Sequence, residues 1–496
     1  MEYTSTRDNT VSVESAVAIA KGISDDGGLF VPKSIPTLTK DDMDELIGLD
    51  YVGRAVKILG MYLTDFTKDE LYECARGAYI GSFDDDKPAP LYRLCDGEYI
   101  LELWHGPTCA FKDLALQILP WLLTKASQKT DGGRTKVVLV ATSGDTGKAA
   151  LEGFADVKGT KILVFYPENG VSDMQKLQMV TQSGDNVAVC AIEGNFDDAQ
   201  TGVKRIFTDS EIKAKLEEAS MSFSSANSIN WGRLVPQIVY YVSAYLDLLK
   251  LGAIKPGDKI DIAVPTGNFG NILAAYYAYK MGIPVARLVC ASNSNNVLTD
   301  FIRTGTYDRN REFFTTTSPS MDILISSNLE RLIYHLGDEN SELIRGYMEQ
   351  LAKSGRYTVN DKIKSELDSL FWASFCDDKA TARTIASTCD GKGYLCDTHT
   401  AVALNVFDQY KNAEHSDRVA VVASTASPFK FSSSVLGAIA PANVAGDEFE
   451  KVKLLESLTG VKAPKSLVEL KGKKVRFDKV ASKDEMKTVV FDMLGL

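Results

Sequence analysis

The chain has 496 residues, 45% hydrophobic and 24% charged, enough for two or three domains of ordinary size and unlike a disordered or fibrous protein. Its net charge of −11 argues against a nucleic-acid partner, so an anionic ligand has to be captured by a local cluster of donors. Four histidines, at 105, 335, 399 and 415, show no chelating spacing, and no metal is expected. The longest apolar stretches, such as 238–249, are broken by Ser243 and Asp247, so no membrane span is expected. The first residues carry neither a signal nor a transit pattern, which points to the cytoplasm. Eight cysteines without C-x-x-C spacing read as reduced core thiols.

Residues 1–86 read as a mostly helical N-terminal extension, with amphipathic segments over 11–19 and 43–49 and a turn at Gly27-Gly28. The charged run Asp84-Asp85-Asp86-Lys87-Pro88 is the expected boundary. A first α/β lobe is expected over 87–250. Within it Gly106 and Pro107 break an extended run, and Leu114, Ile118, Trp121 and Leu122 recur at helical spacing, so a helix starts near Lys112. A cation at a helix start opposes the helix dipole. Flanked by Phe111 and Leu114, Lys112 is either a surface lysine beside Asp113 or a partly desolvated amine of lowered pKa that can attack an aldehyde.

Strand signals recur over 136–141, 162–166 and 187–192, each followed by helical spacing, which reads as parallel α/β structure. The turn Ala141-Thr142-Ser143-Gly144-Asp145-Thr146-Gly147 offers hydroxyls and backbone N–H groups that suit a carboxylate, or equally cap the next helix. Ser225 to Arg233 is a polar cluster heading a long apolar helix over 233–249, where Ser228 or Asn230 serves as a cap.

A second α/β lobe is expected over 251–496. Strand 259–264, glycine turn 266–271 and helix 272–280 gather N–H groups at a helix start, either a phosphate site or an ordinary tight turn. Neither the Walker A nor the dinucleotide spacing is present. Further strands are expected over 286–291 and 419–423, with helical sequence between 341 and 406 and a charged, partly helical tail beyond Gly446. His399 is a histidine satisfied in the core or a catalytic one.

His105-Gly106-Pro107-Thr108 followed by Phe111-Lys112-Asp113 resembles the pyridoxal-phosphate lysine motif of the threonine synthases, within the broader family of tryptophan synthase β chains and serine/threonine dehydratases. The resemblance extends over nearly the whole chain. It implies a fold type II pyridoxal-phosphate enzyme with Lys112 as the cofactor lysine. Gly267, Asn268, Phe269, Gly270 and Asn271 resemble the loop that cradles the cofactor phosphate, with Asn271 where aspartate is also common. Thr425, within Ala423-Ser424-Thr425-Ala426-Ser427-Pro428-Phe429-Lys430-Phe431, matches the hydroxyl residue beside the pyridine nitrogen. Ser427 and Phe429 depart from the usual His-Pro-Ala-Lys.

Ser143, Asp145 and Thr146 resemble the substrate-carboxylate loop. Ser228, Asn230 and Arg233 resemble the Asn-Ser-Ile-Asn…Arg motif that binds the substrate phosphate. Segments 296–305, 318–323 and 327–332 also look like threonine synthase sequence. The implied reaction converts O-phospho-L-homoserine and water to L-threonine and phosphate, in a monomer or homodimer. A phospho-amino-acid lyase of the same fold that releases an oxo acid, and a cofactor-free binding protein on a degenerate fold, are the rival readings.

Overall fold

The computed structural model describes residues 1–84, 87–142, 144–169, 171 and 173–496, the side chains of Phe196 and Asp197 excepted. The chain opens with a small antiparallel sheet of β1 (Glu2–Ser5), β2 (Asp8–Glu14) and β3 (Phe30–Pro32) in the order β2-β1-β3. The amphipathic helix expected over 11–19 is therefore corrected. Val11 and Val13 alternate with Ser12 and Glu14, a period of two, and only Ser15–Lys21 is helical. Helices Lys40–Gly48, Tyr51–Tyr62 and Lys68–Tyr79 follow, capped by Thr39, Asp50 and Thr67. The extension is thus part sheet and part helix.

The next strands are β4 (Leu91–Cys95), β5 (Glu98–Glu102), β6 (Thr135–Ala141), β7 (Thr160–Pro167), β8 (Val187–Glu193) and β9 (Met221–Ser224). They are followed by β10 (Ile260–Pro265), β11 (Val285–Ser292), the short pair β12 (Thr306–Asp308) and β13 (Arg356–Thr358), β14 (Phe371–Phe375), β15 (Ala420–Ser424) and β16 (Val480–Ser482). One sheet runs β16-β8-β7-β6-β9 with every pair parallel. The other runs β14-β11-β10-β15-β5-β4, in which only β4 is antiparallel. These are the two parallel-rich lobes of an α/β protein.

The lobes are not contiguous in the chain, which corrects the division at 250/251. β4 and β5 join the sheet built mainly from later strands, with β5 in parallel register against β15 from Glu98↔Ala420 to Glu102↔Ser424. β16, in the tail, closes the edge of the earlier sheet on β8. A short strand carries no local sign of which edge it will join, because its partner lies hundreds of residues away. The boundary run at 84–88 falls partly outside the described residues.

Helix Trp231–Lys250 is buried along nearly its whole length. At its head Trp231 packs against Tyr3 at 5.4 Å, Tyr62 at 5.7 Å and Tyr277 at 5.4 Å between ring centroids, joining the extension to helix Gly270–Lys280 of the second lobe. Helix Asp145–Phe154 crosses the segment after Lys112 so closely that a Cβ on Gly153 would lie 2.0 Å from the carbonyl of Leu116. No helix among the described residues is long and apolar enough to cross a membrane. The eight cysteines are free thiols, six of them buried.

The polar loops at 103–112, 142–144, 225–230, 266–269 and 425–427 leave the carboxyl ends of β5, β6, β9, β10 and β15. Ligands of parallel α/β sheets bind at that edge, where loops diverge and helix N-termini begin.

Glu98, 5% exposed, links β5 to helices Asp378–Lys392 and Thr398–Glu414 by accepting Lys411 at 2.6 Å and Lys392 at 3.0 Å, with the Cys95 thiol at 3.1 Å. Burial raises its pKa, but these partners outweigh burial and hold it at about 2. A depressed carboxylate contributes stability that is complete above its ordinary pKa of 4.5 and is lost as pH falls toward 2. Glu98→Gln is expected to destabilise the fold at pH 7 by about 1–2 kcal/mol and to flatten the acid limb of stability in that window. Urea titrations at graded pH check it, and an unchanged acid limb would refute it.

Candidate active site

The segment from His105 to Asp113 is shaped by one buried carboxylate. Asp113 accepts the Thr108 N–H at 2.8 Å and the Thr108 hydroxyl at 2.7 Å, and a Cβ on Gly106 would sit 2.5 Å from the Asp113 Cβ. This contact is why glycine precedes Pro107. Burial raises the Asp113 pKa to about 6 against the pull of those donors. The segment then lies along the end of β15. Phe111 N–H donates to the Thr425 carbonyl at 2.9 Å, Ser427 N–H donates to the Cys109 carbonyl at 3.0 Å, and Ala110 bridges to Ala426. That pairing brings Thr425 beside Lys112. The Thr425 hydroxyl makes no hydrogen bond among the described residues, and the buried Ser427 hydroxyl has no partner.

Lys112 directly precedes helix Asp113–Leu116, as expected, and only 12% of its side chain is exposed. Its Nζ lies 3.6 Å from Asp145 Oδ2 and 3.4 Å from the Ser320 hydroxyl. Burial lowers its pKa, Asp145 opposes that, and Lys430 and Arg233 add to the lowering. The amine is thereby moved toward its nucleophilic form.

In the loop after β6, Thr142 is the cap: its hydroxyl accepts Gly144 N–H and Gly147 N–H, both at 3.0 Å. Ser143 lies outside the described residues. Thr146 is half-buried, and its hydroxyl has no bond among the described residues. The Asp145 side chain is engaged by cations and donors from other segments. Oδ1 takes Lys430 at 2.9 Å and Gln175 at 3.0 Å, and Oδ2 faces Lys112 and Ser320, the latter at 3.2 Å. Burial raises its pKa, yet Lys430 and Lys112 hold it far below the usual carboxylate range. A permanent anion repels a second carboxylate, so this loop can receive one only through its N–H groups and Thr146.

After β10 the chain turns through Gly267, Asn268 and Phe269 into helix Gly270–Lys280. Phe269 takes a left-handed conformation with φ of 64°, and no side chain caps the helix. Its first N–H groups therefore face the loop without an internal acceptor. A Cβ on Gly267 would lie 2.8 Å from the Ser320 carbonyl, so the close approach of the two loops requires glycine. The Asn268 carbonyl accepts Asn328 N–H and the Asn328 side chain, both at 3.1 Å, while Asn328 Nδ2 also reaches Ser228 Oγ at 3.4 Å. Asn271 turns away and accepts Tyr240 at 2.9 Å and Tyr241 at 2.5 Å, leaving its buried Nδ2 unpaired. An uncapped helix start, a glycine where a side chain would fill the cradle and a buried amine of lowered pKa together fit pyridoxal phosphate.

In the segment ahead of helix Trp231–Lys250, Asn230 takes the capping place. Its Oδ1 accepts Gly232 N–H at 2.8 Å, and its Nδ2 donates to the Ile19 and Ser225 carbonyls at 3.0 and 2.8 Å, so its polar atoms are all engaged. Ser228 is half-buried on the loop side. Arg233, 4% exposed, donates one bond to the Ala226 carbonyl at 2.8 Å, its Nε has no partner, and among the described residues no carboxylate pairs with it. Burial pushes its pKa down to about 10, the mark of an uncompensated buried cation that an anion would complete.

Four groups at the site escaped the sequence reading as site residues. Ser320 follows a loop in which Asn293 and Asn295, just past β11, donate to Asp322 at 2.8 and 3.0 Å. Its N–H donates to His399 Nε2 at 3.2 Å, and His399 Nδ1 pairs with Asp397 at 2.7 Å, so His399 is a satisfied core histidine that holds Ser320 through the backbone. Lys430 and Gln175 complete the shell of Asp145, and Arg331 donates to Phe30, Ile229 and Asn328, fixing the extension to both loops. The signals available were the places of Ser320, Arg331 and Lys430 in the segments 318–323, 327–332 and 423–431 that resemble threonine synthase sequence.

A near-buried lysine and a glycine cradle at the carboxyl edge of the same six-stranded sheet place the molecule among pyridoxal-phosphate-dependent enzymes, and residues 88–425 match the family model of that description. Residues 2–79 match the model for the threonine synthase N terminus and 400–490 the one for the threonine synthase C-terminal region, and the chain belongs to the threonine synthase family. It is 42% identical over 432 residues to "Threonine synthase-like 1" of Homo sapiens, covering 85% of this chain and 57% of that protein. With "Threonine synthase" of Saccharomyces cerevisiae it shares 33% identity over 523 residues, 99% of this chain and 98% of that one. The crystal structure of pyridoxal-phosphate-bound threonine synthase from Brucella melitensis superposes with a TM-score of 0.88 at 35% identity, covering 99% of each chain. The chain spans little over half the length of the threonine synthase-like 1 relatives.

Asn230→Ala is expected to lower stability by about 1–2 kcal/mol through loss of the cap and its two carbonyl contacts, with KM for a phosphorylated substrate changed less than twofold. Urea unfolding beside steady-state kinetics checks it, and a stable variant with a much raised KM would restore Asn230 as a ligand.

Proposed function

We propose that the chain converts O-phospho-L-homoserine and water to L-threonine and phosphate. The observation that carries this reading is Arg233, a buried guanidinium without an anionic partner among the described residues, whose charge lowers the proton affinity of Lys112. A substrate whose leaving group is a phosphate dianion supplies the missing counter-charge there, and arginine's fork matches phosphate oxygens. Ser228, half-buried and bonded to the Asn328 side chain, is the second donor to that group. The N–H groups of the loop after β6, with Thr146, bind the substrate carboxylate. Gly267, Asn268, Phe269, Gly270 and the Asn271 backbone would hold the cofactor phosphate, Thr425 the ring nitrogen, and Lys112 the aldehyde carbon.

When bound, pyridoxal phosphate stabilises negative charge at the substrate carbons next to its amine. A neutral hydroxyl such as Thr425 at the ring nitrogen withdraws less electron density than a charged partner, which favours elimination and replacement. Lys112 takes and returns protons at the substrate α and β carbons. Asp145 holds that amine in place, and Arg233 with Ser228 keeps the leaving phosphate oriented so that water adds at the β carbon before the product escapes.

Cofactor-loaded protein given O-phospho-L-homoserine is expected to release threonine and phosphate in equal amounts. Phosphate with 2-oxobutyrate would shift the reading to a lyase, and no phosphate would overturn it. Lys112→Ala is expected to lose the cofactor's long-wavelength absorbance and to slow turnover at least about a hundredfold. Arg233→Ala is expected to raise KM about ten- to a hundredfold, the loss of a charge-assisted contact; an unchanged KM would remove Arg233 from the site.

A further inference from the structure

Two buried amines face a single carboxylate. Lys430 Nζ lies 2.9 Å from Asp145 Oδ1 and donates a second bond to the Thr108 carbonyl at 2.9 Å, with none of its side chain exposed. Lys112 is held more loosely, 3.6 Å from the other oxygen, with the Ser320 hydroxyl at 3.4 Å as its only other polar contact among the described residues. Arg233, also buried, is a third cation whose charge acts on Lys112. Of the other carboxylates nearby, Asp113 acts on Lys430, and none but Asp145 is among the charges acting most strongly on Lys112. Asp113 is bound by Thr108, and Asp397 is bound by His399 and Thr400. Three cations around Asp145 and Asp113 still leave a buried positive excess, which is costly in a site of low dielectric constant. The excess is relieved by a proton leaving the amine with the weakest hold on the anion, and that amine is Lys112.

We propose that Lys430 is a positioning residue that claims the Asp145 carboxylate and thereby leaves Lys112 with a free lone pair near neutral pH. The inference rests on the reading of Lys112 as the cofactor lysine. It gives a fully buried lysine a defined task. A carboxylate shared with Lys430 still anchors Lys112 in space but no longer holds its proton. Without Lys430 the same carboxylate would form a one-to-one ion pair with Lys112 and keep it protonated.

The test reads the amine directly, without turnover. Cofactor-free protein is treated with formaldehyde and cyanoborohydride across pH 6–10, a range on the order of that in which perturbed lysines titrate. The lysine nitrogen bonds to the formaldehyde carbon, the oxygen leaves as water, and the reductant supplies hydride, so the rate follows the unprotonated fraction. Peptide mass analysis then gives the pH midpoint of Lys112 alone.

Lys430→Met is expected to raise that midpoint by about one pH unit or more, a roughly tenfold slower reaction below it. Lys430→Arg, which keeps the charge, is expected to restore it to within about 0.3 unit of the parent. Circular dichroism establishes that each variant is folded, and Lys430→Gln, which can still donate to the Thr108 carbonyl, replaces the methionine variant if that one does not fold. An unmoved or lowered midpoint in a folded neutral variant would overturn the proposal. Separately, the parent loaded with pyridoxal phosphate and reduced with borohydride should carry its label on Lys112. A label elsewhere sinks the cofactor assignment and this inference together, whereas a label on Lys112 with an unmoved midpoint sinks only the role of Lys430.

Discussion

A buried carboxylate must be neutralised by its surroundings, and Asp145 draws its partners from four separate stretches of chain. Lys112 comes from the segment after β5, Gln175 from the helix after β7, Ser320 from a loop beyond β11, and Lys430 from the turn after β15. Those stretches belong to both sheets, so one charge couples the two lobes at the edge where the cofactor fits. The remaining site geometry depends on it. Ser320 touches Asp145 through its hydroxyl, packs its carbonyl over Gly267 and is held from behind by His399. A shift of this carboxylate would therefore disturb Lys112 and the Gly267 turn together.

The same edge resolves an electrostatic difficulty. A chain of net charge −11 repels anions at long range, yet both the cofactor and the proposed substrate are phosphates. The protein answers locally, with an uncapped helix start at Gly270 and a guanidinium at Arg233 that has no carboxylate of its own. Such groups are costly to bury while unpaired, and that cost is what a bound phosphate offsets. The N-terminal extension takes part as well. Arg331 reaches the Phe30 carbonyl and the Ile229 carbonyl while holding Asn328, which in turn braces Asn268. Trp231, ringed by Tyr3, Tyr62 and Tyr277, fixes the head of the helix that carries Arg233. The extension is a structural member of the active-site wall.

Much of this was legible beforehand. Lys112 at a helix start, the glycine turn at 267–270 and the polar run ahead of the 231–250 helix are local patterns, and local backbone geometry realises them where their residues stand. The reading stays open where one residue type serves two purposes. Asn230 has the composition of a ligand and the geometry of a cap, and nothing in its neighbours distinguishes the two until the Ile19 and Ser225 carbonyls are in place. Asp145 likewise reads as part of an anion pocket until two lysines are found against it.

What the sequence by itself determined is therefore what periodicity and short spacing encode. These include the α/β class, the strand and helix alternation, a lysine at a helix start and the glycine turn at 267–270, all set by interactions within a few residues, whereas the roles of the lysine and the turn came from the family resemblance. What only the tertiary structure decided is which strands share a sheet and which charges share a partner. β5 pairs with β15 across more than three hundred residues, and Lys430 meets Asp145 across nearly as many. Backbone pairing and ion pairing act through space and leave no periodic trace, so β4, β5 and β16 could not be placed from sequence, nor could Lys430 be known as the neighbour of Lys112. The physical reason is the same in both cases: a hydrogen bond or a charge pair is indifferent to chain separation, whereas a sequence pattern records only what is close along the chain.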